Sequence, residues 1–331
     1  MKTKKIQALG LSSGGLDSIL AALILRDQGI HVEWVSFETP FFSSIKAQKA
    51  SISTDIPITV KRITDIYLKM LRNPAIGYGK NMNPCLDCHA LMFQLAGDIM
   101  KEKGFDFLFS GEVMGQRPMS QTRPSLRYVE KNSNFEGYIL RPLSAKRLPV
   151  TIPELQGMVD REKLLDITGR SRKIQINLAN KYNIPDYPAP AGGCRLTDKG
   201  FSIRLKDLFD NQPRQMERDF ELLKYGRHFR INENIKFIVG RDQNDNENIE
   251  ANYVPEQDIL IDVLDYPSPL TLIPYGAGSE KDIIEKAGSI CAGYTKAPLD
   301  ELIKIIAKSQ NRIKELRVKI DKDSKFKKYL L

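Results

Sequence analysis

The sequence predicts an α/β protein: a parallel sheet with helices on both faces, joined to a smaller α+β C-terminal domain. Two observations carry that expectation. Over the first half of the chain, short apolar runs alternate with segments whose apolar residues recur at helical spacing, as in a parallel sheet covered on both sides. Beyond a stretch stiffened by Pro185, Pro188 and Pro190, strand-like runs return with turn-forming residues between them, which marks a second unit.

Taken in order, residues 6–11 form a strand, and Ile19, Leu20, Leu23 and Ile24 give a helix that Gly29 stops. A second strand over 32–37, a helix over 43–53 and a third strand over 58–63 continue the alternation. Residues 105–109 supply a buried strand before Ser110-Gly111, and 138–140 one more. From about Arg161 the chain reads helical and basic. In the second unit, 235–239 and 259–264 read as strands, the Asn/Asp-rich segment 242–248 as turn material between them, and 282–294 as a helix. Leu299, Leu302, Ile306, Ile313, Leu316 and Ile320 recur at three-to-four or seven-residue steps and predict a terminal amphipathic helix. The expected domains are therefore 1–200, a helical linker over 201–224, a small domain over 225–300 and a basic helical tail over 301–331.

A chain of 331 residues exceeds what one core usually serves. Hydrophobic residues at 41% and charged residues at 27% exclude a disordered or low-complexity chain. No apolar run is long enough to span a membrane, and the N-terminus shows no cleavage site, so a cytoplasmic protein without a membrane partner is expected. The net charge is +9, and nine basic residues against three acids lie between Lys308 and Leu331. Such a tail suits either a solvated face or a polyanion such as RNA. The four cysteines are too few and too unevenly spaced for a disulfide scaffold.

Ser12-Ser13-Gly14-Gly15-Leu16-Asp17-Ser18 lies between the first strand and the first helix, where free backbone N–H groups and the helix dipole favour an anion. The glycines admit close approach of a phosphate, and Ser13 and Ser18 add hydroxyls. Asp17 is out of place in a phosphate cradle unless it holds magnesium or orients a reacting group. The SGGLDS pattern resembles the PP-loop of ATP pyrophosphatases, which implies a HUP-like fold, ATP and Mg2+ as cofactors, and cleavage between the α and β phosphates. A Walker A loop would need a lysine that is absent here.

The stretch SGEVMGQRPMSQT from Ser110 to Thr122, with ILRPLSAK at 139–146, resembles the catalytic domain of tRNA 4-thiouridine synthetases. The resemblance places Gly115-Gln116 and Ser120-Gln121-Thr122 around the nucleotide, and Gly111 and Phe37 are further expected cofactor contacts. The sequence lacks the THUMP extension and rhodanese tail found on some of those enzymes.

Cys85 and Cys88 stand at the start of a helix, whose N-terminus favours thiolates, and Cys194 follows two glycines in a constrained loop. Cys291 lies in an apolar stripe and reads as core. Three assignments stay open: a structural zinc site with His89 as fourth ligand, a persulfide pair, or a 4Fe-4S cluster held by Cys85, Cys88 and Cys194. Resemblance to iron-sulfur-dependent PP-loop tRNA thiolases favours the cluster and makes Asp17, Cys85, Cys88 and Cys194 the expected catalytic residues. His31-Val32-Glu33 with the later PCLDC imitates a zinc deaminase signature, but its first piece opens a strand.

Residues 225–230, 236–241, 245–248, 265–269 and 287–294 resemble an abbreviated NFACT-type RNA-binding domain. Arg227, His228, Arg230 and Arg241 are the expected phosphate contacts, with Tyr225 and Phe229 as base-stacking aromatics. Together the resemblances imply a tRNA sulfurtransferase whose partners are tRNA and a sulfur donor, either sulfide or a persulfide carrier, with a homodimer left open. The alternatives are an RNA-binding protein with a structural metal, and a PP-loop ligase or amidotransferase acting on a small molecule.

Overall fold

The computed structural model describes residues 5–188, 193–310, 312–320 and 324–331. The chain divides into two units, Met1–Thr197 and Asp198–Leu331. The expected Pro190 and Gly192 of the proline-glycine stretch lie outside the described residues.

The first unit runs β1 (Gln7–Leu11), α1 (Leu16–Arg26), β2 (His31–Glu38), α2 (Ile45–Thr54), β3 (Ile58–Arg62), α3 (Thr64–Arg72), α4 (Cys85–Lys103), β4 (Phe107–Ser110), α5 (Arg123–Asn132), β5 (Ile139–Leu140), α6 (Ile152–Leu155) and α7 (Lys173–Lys181). Its sheet is parallel throughout, in the order β3-β2-β1-β4-β5. Trp34, Phe107, Phe109 and Leu20 pack in its core. The chain steps outward from β1 to β3 and then returns to β4 on the other side of β1, so the switch point falls between β1 and β4. Leu11 pairs with Ser110, and the two loops that follow therefore leave the sheet side by side. Ligands of open parallel sheets bind at this crevice.

The second unit runs α8 (Lys199–Asn211), α9 (Glu217–Leu222), β6 (Arg227–Arg230), β7 (Lys236–Val239), α10 (Gln243–Ala251), β8 (Ile259–Val263), β9 (Thr271–Ile273), α11 (Lys281–Ala292), β10 (Leu302–Ser309) and β11 (Arg312–Lys319). Its sheet order is β11-β10-β8-β9-β7-β6, and all pairings are antiparallel. Helix α11 packs on one face through Ile284, Ala287, Ile290 and Cys291, which confirms Cys291 as core. Leu222 of α9 and Ile249 of α10 cover the other face over β7, β8 and β9.

Three expectations are corrected here. The tail is a hairpin, because Ile303, Ile305 and Ala307 alternate inward with outward Lys304 and Lys308, a period of two that the wider helical spacing had masked. The Asn/Asp-rich segment is α10: Asp242 caps it by accepting from Asp245 N at 2.9 Å, and Asp245 in turn receives the Gly226 and Arg241 amides at 3.0 Å. The supposed linker is part of the second unit. Phe201, Leu205 and Phe220 are buried, and Asp207 of α8 receives Arg230 of β6 through two bonds of 2.8 and 2.7 Å.

Candidate functional site

The loop after β1 turns at Gly14, whose φ of +71° favours glycine. A Cβ there would lie 2.2 Å from the Lys46 backbone at the start of α2, so this glycine lets the loop and that helix touch. Glu38 fixes the approach by receiving the Ser44 amide and hydroxyl, bonds that with Arg62 hold its carboxyl below its ordinary value despite burial. Gly15, in contrast, is extended and has nothing closer than Ser13 Oγ at 3.5 Å to an added Cβ. Its open side is where a phosphate can meet the α1 amides.

Around that opening the polar groups divide into engaged and unengaged. Ser18 donates to the Gly15 carbonyl at 2.7 Å, so its hydroxyl serves the turn, whereas Ser13 is exposed. Gln116 donates to Asp17 Oδ2 at 2.7 Å across the switch point, and Gln175 donates to Gln116 Oε1 at 3.0 Å. Asp17 Oδ1 is buried with no hydrogen-bond partner. An uncompensated buried carboxylate oxygen is costly, and a cation at this spot removes the cost. Gly111 brings β4 against α1, since a Cβ would fall 2.4 Å from the Asp17 carbonyl carbon. Phe37 is buried in β2 as part of the wall behind the site.

The same sheet edge carries a second cluster. Tyr67 of α3 is buried between Phe41 and Phe42, with ring centroids 5.7 and 5.3 Å away. Its hydroxyl hydrogen-bonds Cys88, and Cys85, Cys88 and Cys194 all lie near enough to act on it electrostatically. Asn83 donates to Cys85 Sγ at 3.2 Å. The Cys194 loop is tied in by Asn81, which donates to the Thr197 carbonyl at 2.7 Å, and by the Arg195 amide on the Phe41 carbonyl. The three cysteines lie near enough to act on one another electrostatically.

Their protonation differs from the expectation for a helix start. Burial pushes the Cys88 thiol far up and the neighbouring sulfurs add to it, outweighing the Tyr67 hydrogen bond; burial raises Cys194 as well. Among the described residues no three His, Cys, Asp or Glu side chains form a group that could hold a metal ion.

The first unit also holds a buried ion network that the sequence reading missed. Glu112 accepts from Arg141 Nε at 2.9 Å, from Ser110 Oγ at 3.2 Å, and faces His89 Nδ1 at 2.9 Å. Burial opposes its ionisation, yet Arg141 and His89 hold its carboxyl down to about 2. The signal was a lone arginine inside the apolar run Ile139-Leu140-Arg141-Pro142-Leu143. His89 follows Cys88 in α4, and Gln116, the partner of Asp17, lies four residues beyond Glu112.

Residues 4–147 match the family described as Thiamine biosynthesis protein (ThiI), and residues 226–330 match the NFACT protein RNA binding domain. The first unit is thus similar to the ThiI family over residues 4–147, and the second to the NFACT RNA-binding domain over residues 226–330. Similar proteins include a probable tRNA sulfurtransferase of Oceanobacillus iheyensis, 25% identical over 41% of this chain and 34% of its own. A tRNA-specific 2-thiouridylase of Petrotoga mobilis is 26% identical over 62% of this chain and 59% of its own. A solved 4-thiouridine synthetase–RNA complex with bound ATP shares 22% identity, covering 66% of this chain and 52% of that one, at a TM-score of 0.34. The chain spans less than two thirds of the curated relatives it matches.

In the NFACT-type domain the expected RNA contacts are mostly engaged internally. Phe229 is fully buried and stacks on Phe237 at 5.0 Å, so it is core. His228 is buried, which pulls its pKa well down, and nearby Lys236 and Arg204 reinforce the neutral form. Arg230 is clasped by Asp207, Arg241 by Asp245, and Arg227 lies over the Tyr294 ring at 4.5 Å. Tyr225 packs beside the core under α9 and α10.

Proposed function

We propose that this chain is an ATP-dependent, AMP-forming tRNA sulfurtransferase. The observation that carries the reading is the meeting, at one sheet edge, of a PP-loop with an uncompensated Asp17 oxygen and a pocket of three thiols. The PP-loop would hold ATP through the α1 amides, Ser13 and the open side of Gly15. Asp17 Oδ1, held in place through Gln116, would bind Mg2+ on the phosphates. A uridine carbonyl oxygen would attack the α phosphorus and release pyrophosphate, and a sulfur nucleophile would then attack the activated carbon and release AMP.

Cys85, Cys88 and Cys194 are soft donors of the kind that hold a 4Fe-4S cluster more than a hard cation, but as placed they form no group that could hold a metal ion, so a cluster would require them to close up. Such a cluster, held by three thiolates, would supply one iron open to inorganic sulfur. Phe41, Phe42 and Tyr67 would exclude water.

Nucleoside mass spectrometry on tRNA from a strain lacking the protein tests the reading. Loss of one thiouridine, restored by the wild-type chain and not by a Cys194→Ala chain, is the expected result. An unchanged thionucleoside profile counts against it.

A further inference from the structure

On the side of the sheet that α9 and α10 cover over β7, β8 and β9, the β10–β11 hairpin carries exposed side chains. Register fixes which side chains share that face. Lys304 opposes Arg317, Leu302 opposes Lys319, Lys308 opposes Ile313, and Ile306 opposes Glu315. Their neighbours Ile303, Ile305 and Val318 point the other way, into the core under α11. Helices α9 and α10 cover this side of the sheet over β7, β8 and β9, and the hairpin lies beyond them.

Four cations therefore stand on one surface beside Leu302 and Ile313, which are 54% and 67% exposed. Among the described residues none of Lys304, Lys308, Arg317 and Lys319 has an ion-pair partner. Glu315 is the acid among them. Asp262, across from Ile306 on β8, is occupied by Ser268 Oγ at 2.7 Å. Lysines often guard an edge strand against mispairing, and that explains charge on β11. It does not explain Lys304 and Lys308, because β10 is paired on both sides.

We propose that this face is where the NFACT-type domain meets RNA, reading phosphates and not base sequence. From Lys319 past the Lys304–Arg317 pair to Lys308 the cations extend for about 20 Å at the strand rise of roughly 3.4 Å per residue, enough to follow a backbone over several nucleotides. The exposed Leu302 and Ile313, with half-buried Ile306 between them, offer apolar ground for sugars or bases between the charges. The arginines near the domain's sequence motifs hold the fold together, and the free charge lies in the hairpin. The inference rests on the reading that RNA is the substrate.

The test uses the full chain and an unmodified tRNA transcript, with fluorescence anisotropy across a salt series. Lys304→Glu/Lys308→Glu/Arg317→Glu should weaken binding by about a hundredfold and flatten the log–log salt dependence by roughly two to three. A control with the same charge change, Lys199→Glu/Lys206→Glu/Arg214→Glu on and after α8, should lose less than about fivefold, and both variants should keep the wild-type melting temperature. Equal losses in the two variants, or none in the hairpin variant while the wild type binds, would overturn the assignment of the face. Binding of the hairpin to phosphatidylserine vesicles but not to tRNA would overturn it in favour of a membrane surface. Failure of the wild type to bind tRNA at all would instead remove the substrate reading beneath it.

Discussion

The phosphate loop and the cysteine pocket share one sheet edge but offer opposite environments. At the loop, backbone amides, an exposed Ser13 and an unpartnered Asp17 oxygen face an opening that a solvated, highly charged ligand can enter. In the pocket, Tyr67, packed against Phe41 and Phe42, hydrogen-bonds Cys88, and burial raises the Cys88 and Cys194 thiols. Activation of a carbonyl by a nucleotide needs the first; keeping a sulfur nucleophile from water needs the second. A buried ion network, Glu112 with Arg141 and His89, belongs to the same unit.

Four substitutions and one labelling test can break or sharpen that contrast. The largest effect is expected in the pocket: Cys194→Ala should lower thionucleoside formation on the order of a thousandfold, with ATP affinity by calorimetry unchanged within about twofold. A parallel loss of ATP binding would mean the regions are not separable. At the loop, Gly15→Val should weaken ATP about a hundredfold, near 2.7 kcal/mol, with an unaltered melting temperature, since the fold has room for the side chain. Gly14→Ala should do the reverse and destabilise the fold by more than about 2 kcal/mol, because its Cβ meets backbone at a positive φ.

The buried ion network comes next. Glu112→Gln leaves Arg141 buried beside a neutral group and should cost about 3 kcal/mol in denaturant unfolding. The pH dependence follows from the depressed carboxyl. Its contribution is complete above the unfolded value of 4.5, declines as the pH falls, and is gone once the pH passes about 2. Wild-type stability should therefore drop between pH 5 and 2 by more than that of the Gln variant; equal slopes would show that Glu112 is not held ionised. The smallest effect is a difference in rate. Iodoacetamide at neutral pH should label half-exposed Cys85 before buried Cys88, and labelling in the other order would contradict the pocket's geometry.

The parallel sheet, the loop at Ser12 to Ser18 and the three cysteines were legible because each depends on local pattern: alternating periods, a Gly-Gly turn, a CxxC at a helix start. What was illegible depends on contacts made across the chain. Glu112, His89 and Arg141 come from the loop after β4, from α4 and from the segment after β5, and no spacing announces that they converge. The tail misled because Leu302, Ile306, Ile313 and Leu316 also fit helical steps, and only pairing with β8 selects the two-residue period. Phe229 and Arg230 misled in the opposite sense, since residues suited to RNA are equally suited to a buried stack and an ion pair.

The most direct measurement incubates the anaerobically prepared full chain with ATP, Mg2+, sulfide and unmodified tRNA, and quantifies thionucleoside, AMP and pyrophosphate together. Equal amounts of thiouridine, AMP and pyrophosphate, all dependent on tRNA, are the predicted result. AMP released without tRNA and without any thionucleoside would contradict the account and point to a PP-loop ligase acting on a small molecule.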